Sequence, residues 1–282
     1  MRRNPSHPDR PLQAVVRPPG PELFAEIVAA LDGDGPAVLP LSPEQAPAAI
    51  EALRPTHVNG VRQAEGVGVP GEVAVVIATS GSTGTPKGVQ LPASALRASA
   101  AASLRRLEAV KGQRWLCCLP PAHVSGLQVL VRALLSETDP IIHERFVPAD
   151  VLGSGADHVS LVPTQLHRLV AMRADLSVFR TILLGGAAPR PGLVEEARDL
   201  GARVVTTYGM SETSGGCVYD GQPLYNVDLK IADDGRILIA GPVLFSGYRF
   251  TEAPLAGGWF TTSDLGELTG GRLRVLGRAD DV

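Results

Sequence analysis

The sequence predicts an α/β protein with mainly parallel sheets covered by helices, followed by a small antiparallel, barrel-like β subdomain. Two patterns carry that expectation. Short β-branched runs alternate with helix-length segments as far as Thr207, and repeated strand–helix units imply largely parallel sheets. Beyond Gly216 the alternation stops, and short strands flank the turn sequences Asp233-Asp234-Gly235 and Gly270-Gly271, which are hairpin signals.

Residues 1–21 are rich in Pro and Arg, lack the apolar core of a secretory signal, and read as an extended arm. Residues 21–31 are amphipathic and 37–41 read as a strand. A helix is expected from Ser42, whose Ser-x-x-Gln spacing to Gln45 suits a capping box, to Arg54 ahead of Pro55. The uninterrupted β-branched run 73–78 reads as a strand buried on both faces. A loop leaves its end, and the alanine-rich segment 92–110 is long enough for the helix expected to follow. Strands at 114–119, 141–143, 158–162, 181–184 and 203–207 then alternate with helices at 125–135, 163–172 and 191–200. In the antiparallel part, 228–231 pairs with 236–240 and 266–269 with 272–276.

Composition narrows the function. With 282 residues, 44% hydrophobic and 20% charged, the chain can bury a sizeable core. A net charge of −3 announces no basic surface for nucleic acid. Cys117, Cys118 and Cys217 have neither a disulfide nor a zinc spacing, which fits a reducing cytoplasm. No apolar run approaches the roughly 20 residues of a membrane helix.

The chemistry is expected at strand ends, where open α/β sheets bind ligands. The loop Thr79-Ser80-Gly81-Ser82-Thr83-Gly84-Thr85-Pro86-Lys87-Gly88 offers glycines for close backbone approach, hydroxyl donors and one ammonium, a set suited to polyphosphate. It lacks the P-loop spacing, because Lys87 follows Pro86 and precedes Gly88. In Pro120-Pro121-Ala122-His123-Val124-Ser125-Gly126-Leu127, His123 is either a cap, a packed ring or a ligand group. Ser125, Gln128 or Val129, and Arg132 share a helix face. Arg132 there either snorkels to solvent or meets a ligand carboxylate. Gly185-Gly186-Ala187-Ala188-Pro189 is either a tight turn or a flat-ring surface. In Tyr208-Gly209-Met210-Ser211-Glu212-Thr213, Tyr208 suits base stacking, Ser211 a phosphate, and Glu212 a magnesium ion. Asp264, after Gly258-Trp259-Phe260-Thr261-Thr262-Ser263, is either a turn former or an acceptor for ribose hydroxyls.

Taken in order, the stretches 79–88, 121–127, 185–189, 208–213 and 258–264, with Gly277-Arg278-Ala279-Asp280-Asp281, resemble those of the adenylate-forming superfamily. That superfamily includes acyl-CoA synthetases, luciferases and peptide-synthetase adenylation domains. Its large N-terminal domain is the fold the resemblance implies, with ATP, Mg2+ and CoA as cofactors. ATP and a carboxylic acid give an acyl-adenylate and pyrophosphate, and the CoA thiol then displaces AMP. The resemblance implies that Lys87 and its loop, Thr79 to Gly84, hold the leaving pyrophosphate. Tyr208 would stack on adenine, Gly186, Ala187 and Gly209 would also bind ATP, and Ser211 would touch the α-phosphate. Glu212 would hold magnesium, Asp264 and Arg278 would lie at the ribose, and Asp280 would be the hinge.

Within the superfamily, His-Val-Ser-Gly followed by an Arg nine positions after the His is similar to the o-succinylbenzoate–CoA ligases of menaquinone biosynthesis. That likeness implies an acid pocket of His123, Ser125, Gly126, Arg132, Gly185 and Gly209, and catalytic roles for Lys87, Glu212 and His123. Another acyl-CoA synthetase, or a non-catalytic adenylate-binding module, is the alternative. The implied division is an arm at 1–21, nucleotide- and acid-binding subdomains at 22–216, an antiparallel subdomain at 217–277 and a hinge at 278–282. Small-molecule substrates are the expected partners, with a homodimer also allowed. Three features depart from the family: a short segment before the phosphate loop, Ser263 where many members have Gly, and an end at the hinge. Without the small C-terminal domain and its catalytic lysine, the chain is expected to bind ligands better than it turns over.

Overall fold

The computed structural model describes residues 9–79 and 85–279. The chain begins with β1 (Leu12–Val16), α1 (Pro21–Asp32), β2 (Ala37–Leu41), α2 (Ala46–Leu53), β3 (His57–Val58), β4 (Val61–Arg62), β5 (Val73–Thr79), β6 (Lys87–Pro92) and α3 (Ala93–Leu107). It continues through β7 (Trp115–Cys117), α4 (Val124–Leu135), β8 (Ile141–Ile142), α5 (Pro148–Leu152), β9 (His158–Leu161), α6 (Pro163–Ala171), β10 (Thr181–Leu184), α7 (Leu193–Asp199) and β11 (Val204–Met210). A 3-10 turn at Ser211–Thr213 leads to β12 (Gly215–Tyr219), β13 (Gln222–Pro223), β14 (Asp228–Ile231) and β15 (Arg236–Ala240). The last strands are β16 (Gly247–Arg249), β17 (Leu255–Ala256), β18 (Trp259–Thr269) and β19 (Arg272–Arg278).

These elements form three sheets. The first runs β16-β6-β5-β2-β1-β3-β4, with a parallel centre and antiparallel pairing at both edges, and the second β13-β12-β11-β10-β9-β7-β8, parallel from β11 to β8 and antiparallel at its β12–β13 edge. The third, β14-β15-β18-β17 with β19 on β18, is antiparallel throughout. The central strands β2, β5, β7, β9 and β10 are buried on both faces, as uninterrupted apolar runs require. In β5, Val75 and Ile77 enter the core shared with α3 and α4, while Val76 and Ala78 enter the one under α2. In β7, Trp115 and Cys117 enter the shared core and Leu116 the one under α6 and α7. The shared core also takes in Ile237 and Phe260, so the antiparallel sheet is packed onto the other two.

Four expectations change. The segment read as an arm supplies β1, whose Leu12, Ala14 and Val15 are fully buried between β2 and β3; five residues between prolines are too short for the periodicity to be heard. The phosphate loop does not run directly into a helix but joins antiparallel β5 and β6, with Thr79 opposite Lys87. Gly88 and Gln90 mask the alternation of Val89 and Leu91 that makes β6 a strand. The capping box forms, Gln45 N–H donating to Ser42 Oγ at 3.2 Å and Ser42 N–H to Gln45 Oε1 at 3.2 Å, yet α2 starts only at Ala46. Finally, β16 leaves the antiparallel part and pairs with β6.

Gly209 sits at a bulge where β11 meets β12. A Cβ there would lie 2.1 Å from the Gly215 carbonyl oxygen, so the backbone would have to move. Gly209→Ala is expected to lower stability by about 1–3 kcal/mol, read as a lower midpoint in urea unfolding.

Candidate functional site

The ends of β5, β10 and β11, the start of β6 and one end of α4 surround a cavity of about 1410 Å³, with β18 and β19 along one side. Thr79 and Lys87 flank its phosphate-loop end; Ser80, Gly81, Ser82, Thr83 and Gly84, like the hinge Asp280, lie outside the described residues. Gly185, Gly186, Ala187, Tyr208, Gly209, Ser211, Glu212, Asp264 and Arg278 all line the same space.

Their placement has local causes. Gly186 adopts a left-handed φ of +84° just past β10, and a Cβ on Gly185 would lie 2.3 Å from Thr207 Oγ1. Gly185 is therefore small because β11 crowds it, a packing reason that the flat-ring reading did not contain. Met210 N–H donates to Thr213 Oγ1 at 3.0 Å, and that hydroxyl bonds the Gly215 carbonyl at 2.7 Å, which fixes the turn presenting Ser211 and Glu212. Asp264 and Arg278 face one another across the β18–β19 register. Tyr208 Oη donates to Asp264 Oδ2 at 2.8 Å. Burial, then the Asp264 charge, pushes the Tyr208 phenol up, so it stays a donor.

Glu212 Oε1 accepts from Tyr248 Oη at 2.7 Å, and among the described residues no hydrogen bond is donated to its Oε2. No group of three or more His, Cys, Asp and Glu side chains gathers for a metal among the described residues. A single carboxylate lining this cavity fits magnesium, which keeps waters and substrate oxygens and needs only one or two carboxylates.

The other end of the cavity is built on α4. His123 holds its N-cap position without a side-chain capping bond and is exposed, and Ser125, Gln128 and Arg132 line the wall behind it. Gly126 does not line it: it is buried against Pro120, whose carbonyl oxygen a Cβ would approach to 2.4 Å, so its role is close packing of α4. Arg132 does not snorkel. It is 5% exposed, donates from Nη2 to Ser160 Oγ at 2.9 Å, and lies 4.7 Å from the Trp115 ring centroid. Its Nε is buried without a hydrogen-bond partner among the described residues, and burial holds the guanidinium below its ordinary pKa. A desolvated cation with an open donor beside a cavity is arranged for an anion.

Residues 25–249 match the family of AMP-binding enzymes. The chain belongs to that family. Over 271 residues this AMP-binding enzyme is 42% identical to the "Probable 2-succinylbenzoate--CoA ligase" of Mycobacterium tuberculosis (strain H37Rv), covering 89% of this chain and 67% of that protein. It is 35% identical to the 2-succinylbenzoate–CoA ligase of Bacillus subtilis (strain 168), covering 74% of this chain and 49% of that one. The chain thus spans from two thirds to half the length of these relatives. The o-succinylbenzoate coenzyme A synthetase of Bacillus subtilis in complex with ATP and magnesium superposes with a TM-score of 0.85 at 27% identity, over 96% of this chain and 70% of that one.

Several residues of the AMP-binding enzyme's site escaped sequence reading. Trp115, Ser160, Tyr219 and Tyr248 surround Arg132 and Glu212 but belong to other elements, so no spacing announces them. His158 stacks on Trp115 at 4.5 Å and bonds Gln113 Oε1 at 2.9 Å. Burial pushes His158 down to about 4 from 6.5. A histidine depressed in the folded state contributes nothing above pH 6.5 and is destabilising below it, because the unfolded chain takes up the proton first. Stability is expected to fall by roughly 2–3 kcal/mol between pH 6.5 and 4 on this account, and His158→Phe is expected to flatten that part of the urea-midpoint profile.

Proposed function

We propose that the protein activates o-succinylbenzoate as its acyl-adenylate and transfers the acyl group to CoA, in menaquinone biosynthesis. The observation that carries the reading is the buried, acid-free Arg132 at one end of a cavity whose other end holds Lys87, Tyr208, Glu212 and Asp264. o-Succinylbenzoate has two carboxylates: one to be activated and an aromatic one for a cation to select.

A carboxylate oxygen attacks the α-phosphorus of ATP, and the bond to the β-phosphate bridging oxygen breaks to release pyrophosphate. The CoA thiol, losing its proton, then attacks the acyl carbon and AMP departs. Little covalent help is needed from the protein, so alignment and charge neutralisation dominate. Tyr208 stacks on adenine, while Asp264, with one oxygen occupied by Tyr208, offers the other to the ribose. Lys87 meets the leaving phosphates, and Ser211 donates to the α-phosphate. Glu212 would hold magnesium, which supplies positive charge against the phosphates. His123, uncapped and exposed to the cavity, lies against the reacting carboxylate. Three buried free thiols, Cys117, Cys118 and Cys217, support a reducing cytoplasm as the compartment.

Titration calorimetry of the 282-residue chain tests this, with Mg·ATP, then o-succinylbenzoate, then benzoate and a fatty acid as controls. Binding of o-succinylbenzoate well above both controls is expected. ATP binding with no preference among the acids would return the substrate to unknown and keep the nucleotide site.

A further inference from the structure

We propose that Tyr248 is a positioning residue of the nucleotide site: its hydroxyl aims Glu212, and its ring keeps the Lys87 ammonium from pairing with that carboxylate. The inference rests on reading the cavity as a Mg·ATP site and adds a residue that neither motif contains.

Lys87 and Glu212 carry opposite charges and line the same cavity, yet the ion pairs among the described residues do not include one between them. Tyr248 contacts both instead. Its Oη donates to Glu212 Oε1 at 2.7 Å, and Lys87 Nζ lies 5.5 Å from its ring centroid. A Lys–Glu pair would neutralise both groups that a metal–phosphate ligand needs, the ammonium for phosphate oxygens and the carboxylate for the cation. A phenol satisfies one carboxylate oxygen without adding charge, and an aromatic face attracts an ammonium without neutralising it. The second carboxylate oxygen stays available to a hard cation.

Tyr248, which is half-buried, is itself held by its strand and its neighbours. Its strand β16 pairs with β6, setting Tyr248 opposite Val89, two residues beyond Lys87. Phe245 packs edge-on against it at 5.0 Å, and Phe245 N–H donates to the Glu212 carbonyl at 2.9 Å, so one short segment grips Glu212 through both backbone and side chain. The neighbouring Arg249 anchors the strand through hydrogen bonds to four backbone carbonyls. The first sheet thereby sets the orientation of a carboxylate that follows a strand of the second.

Tyr248→Phe keeps the ring and removes the hydroxyl. Calorimetric titrations of ATP into wild type and variant, across a range of Mg2+ concentrations and in EDTA, give the metal affinity of the ATP-bound protein and the metal-free ATP affinity separately. The expected result is a loss of about tenfold in Mg2+ affinity, the scale for residues that orient a metal-holding group, with metal-free ATP binding unchanged. Adding Glu212→Gln to Tyr248→Phe is expected to abolish the difference, because Tyr248 acts through Glu212. Tyr248→Leu, which also removes the ring, serves as a second variant and is expected to weaken metal-free ATP binding as well, by freeing Lys87 to pair with Glu212. An unchanged Mg2+ dependence in Tyr248→Phe overturns the proposal. Equal losses with and without metal overturn it too, since they mark a merely structural role. If the wild-type chain binds no ATP under either condition, it is the reading of the site itself that fails.

Discussion

Replacing Arg132 with methionine is expected to weaken o-succinylbenzoate binding by about 100-fold or more while leaving Mg·ATP affinity within about twofold. Truncating one member of a buried charge pair typically costs about 2–5 kcal/mol, and each 1.4 kcal/mol is a factor of ten. Among the described residues Arg132 has no carboxylate partner and its Nε is orphaned; it meets the Ser160 hydroxyl, the Trp115 ring and the Tyr219 phenol. Until an anion arrives, the cation's desolvation is poorly compensated, so Arg132→Met, which fills similar volume without charge, is expected to leave thermal stability unchanged or raise it. Arg132→Lys keeps the charge but loses the planar fork, and an intermediate loss is expected. Calorimetry with both ligands and a thermal melt decide the matter. Equal losses for acid and nucleotide would remove Arg132 from the acid pocket.

The second large effect concerns stability. Arg249 is 5% exposed and donates to the carbonyls of Leu53, Arg54, Val67 and Gly68, joining β16 to the far side of the first sheet. Burial pushes its pKa down to about 10, so it remains charged at neutral pH. Arg249→Met removes donors from four carbonyls at once, and a cost of about 3–5 kcal/mol is expected, near the top of what single substitutions do. In a chain of this size that corresponds to a drop of roughly 10 °C in the melting temperature. β16 carries Tyr248, so ATP binding is expected to weaken in the variant even where it remains folded. An unchanged melting temperature would show the four hydrogen bonds to be energetically neutral.

Much of the site was legible because its groups sit where local patterns end. The β-branched run before Thr79 announces a buried strand whose end must meet a loop, and the small residues after Leu184 announce the same for β10, whereas β11 runs past the expected end at Thr207 to Met210 because Tyr208, Gly209 and Met210 pair with β12. Arg132 stood out as a cation on an apolar helix, and the structure resolves the choice left open there in favour of burial. Short elements were silent. β1, β6 and β16 have three to six residues each, bounded by Pro or interrupted by Gly and Gln, too few for a period of two to rise above composition.

By itself the sequence determined the fold class, and it named strand ends that the structure gathers round one cavity together with residue types suited to phosphate, ribose and carboxylate. Only the tertiary structure decided which of those groups have partners. Tyr208 is tied to Asp264 across 56 positions, Tyr248 to Glu212 across 36 and Arg249 to Leu53 across 196, while Arg132 Nε has no partner among the described residues. The reason is one of range. Periodicity reports how a residue faces its own element, whereas pairing and desolvation depend on sheet register and on side chains brought in from other elements.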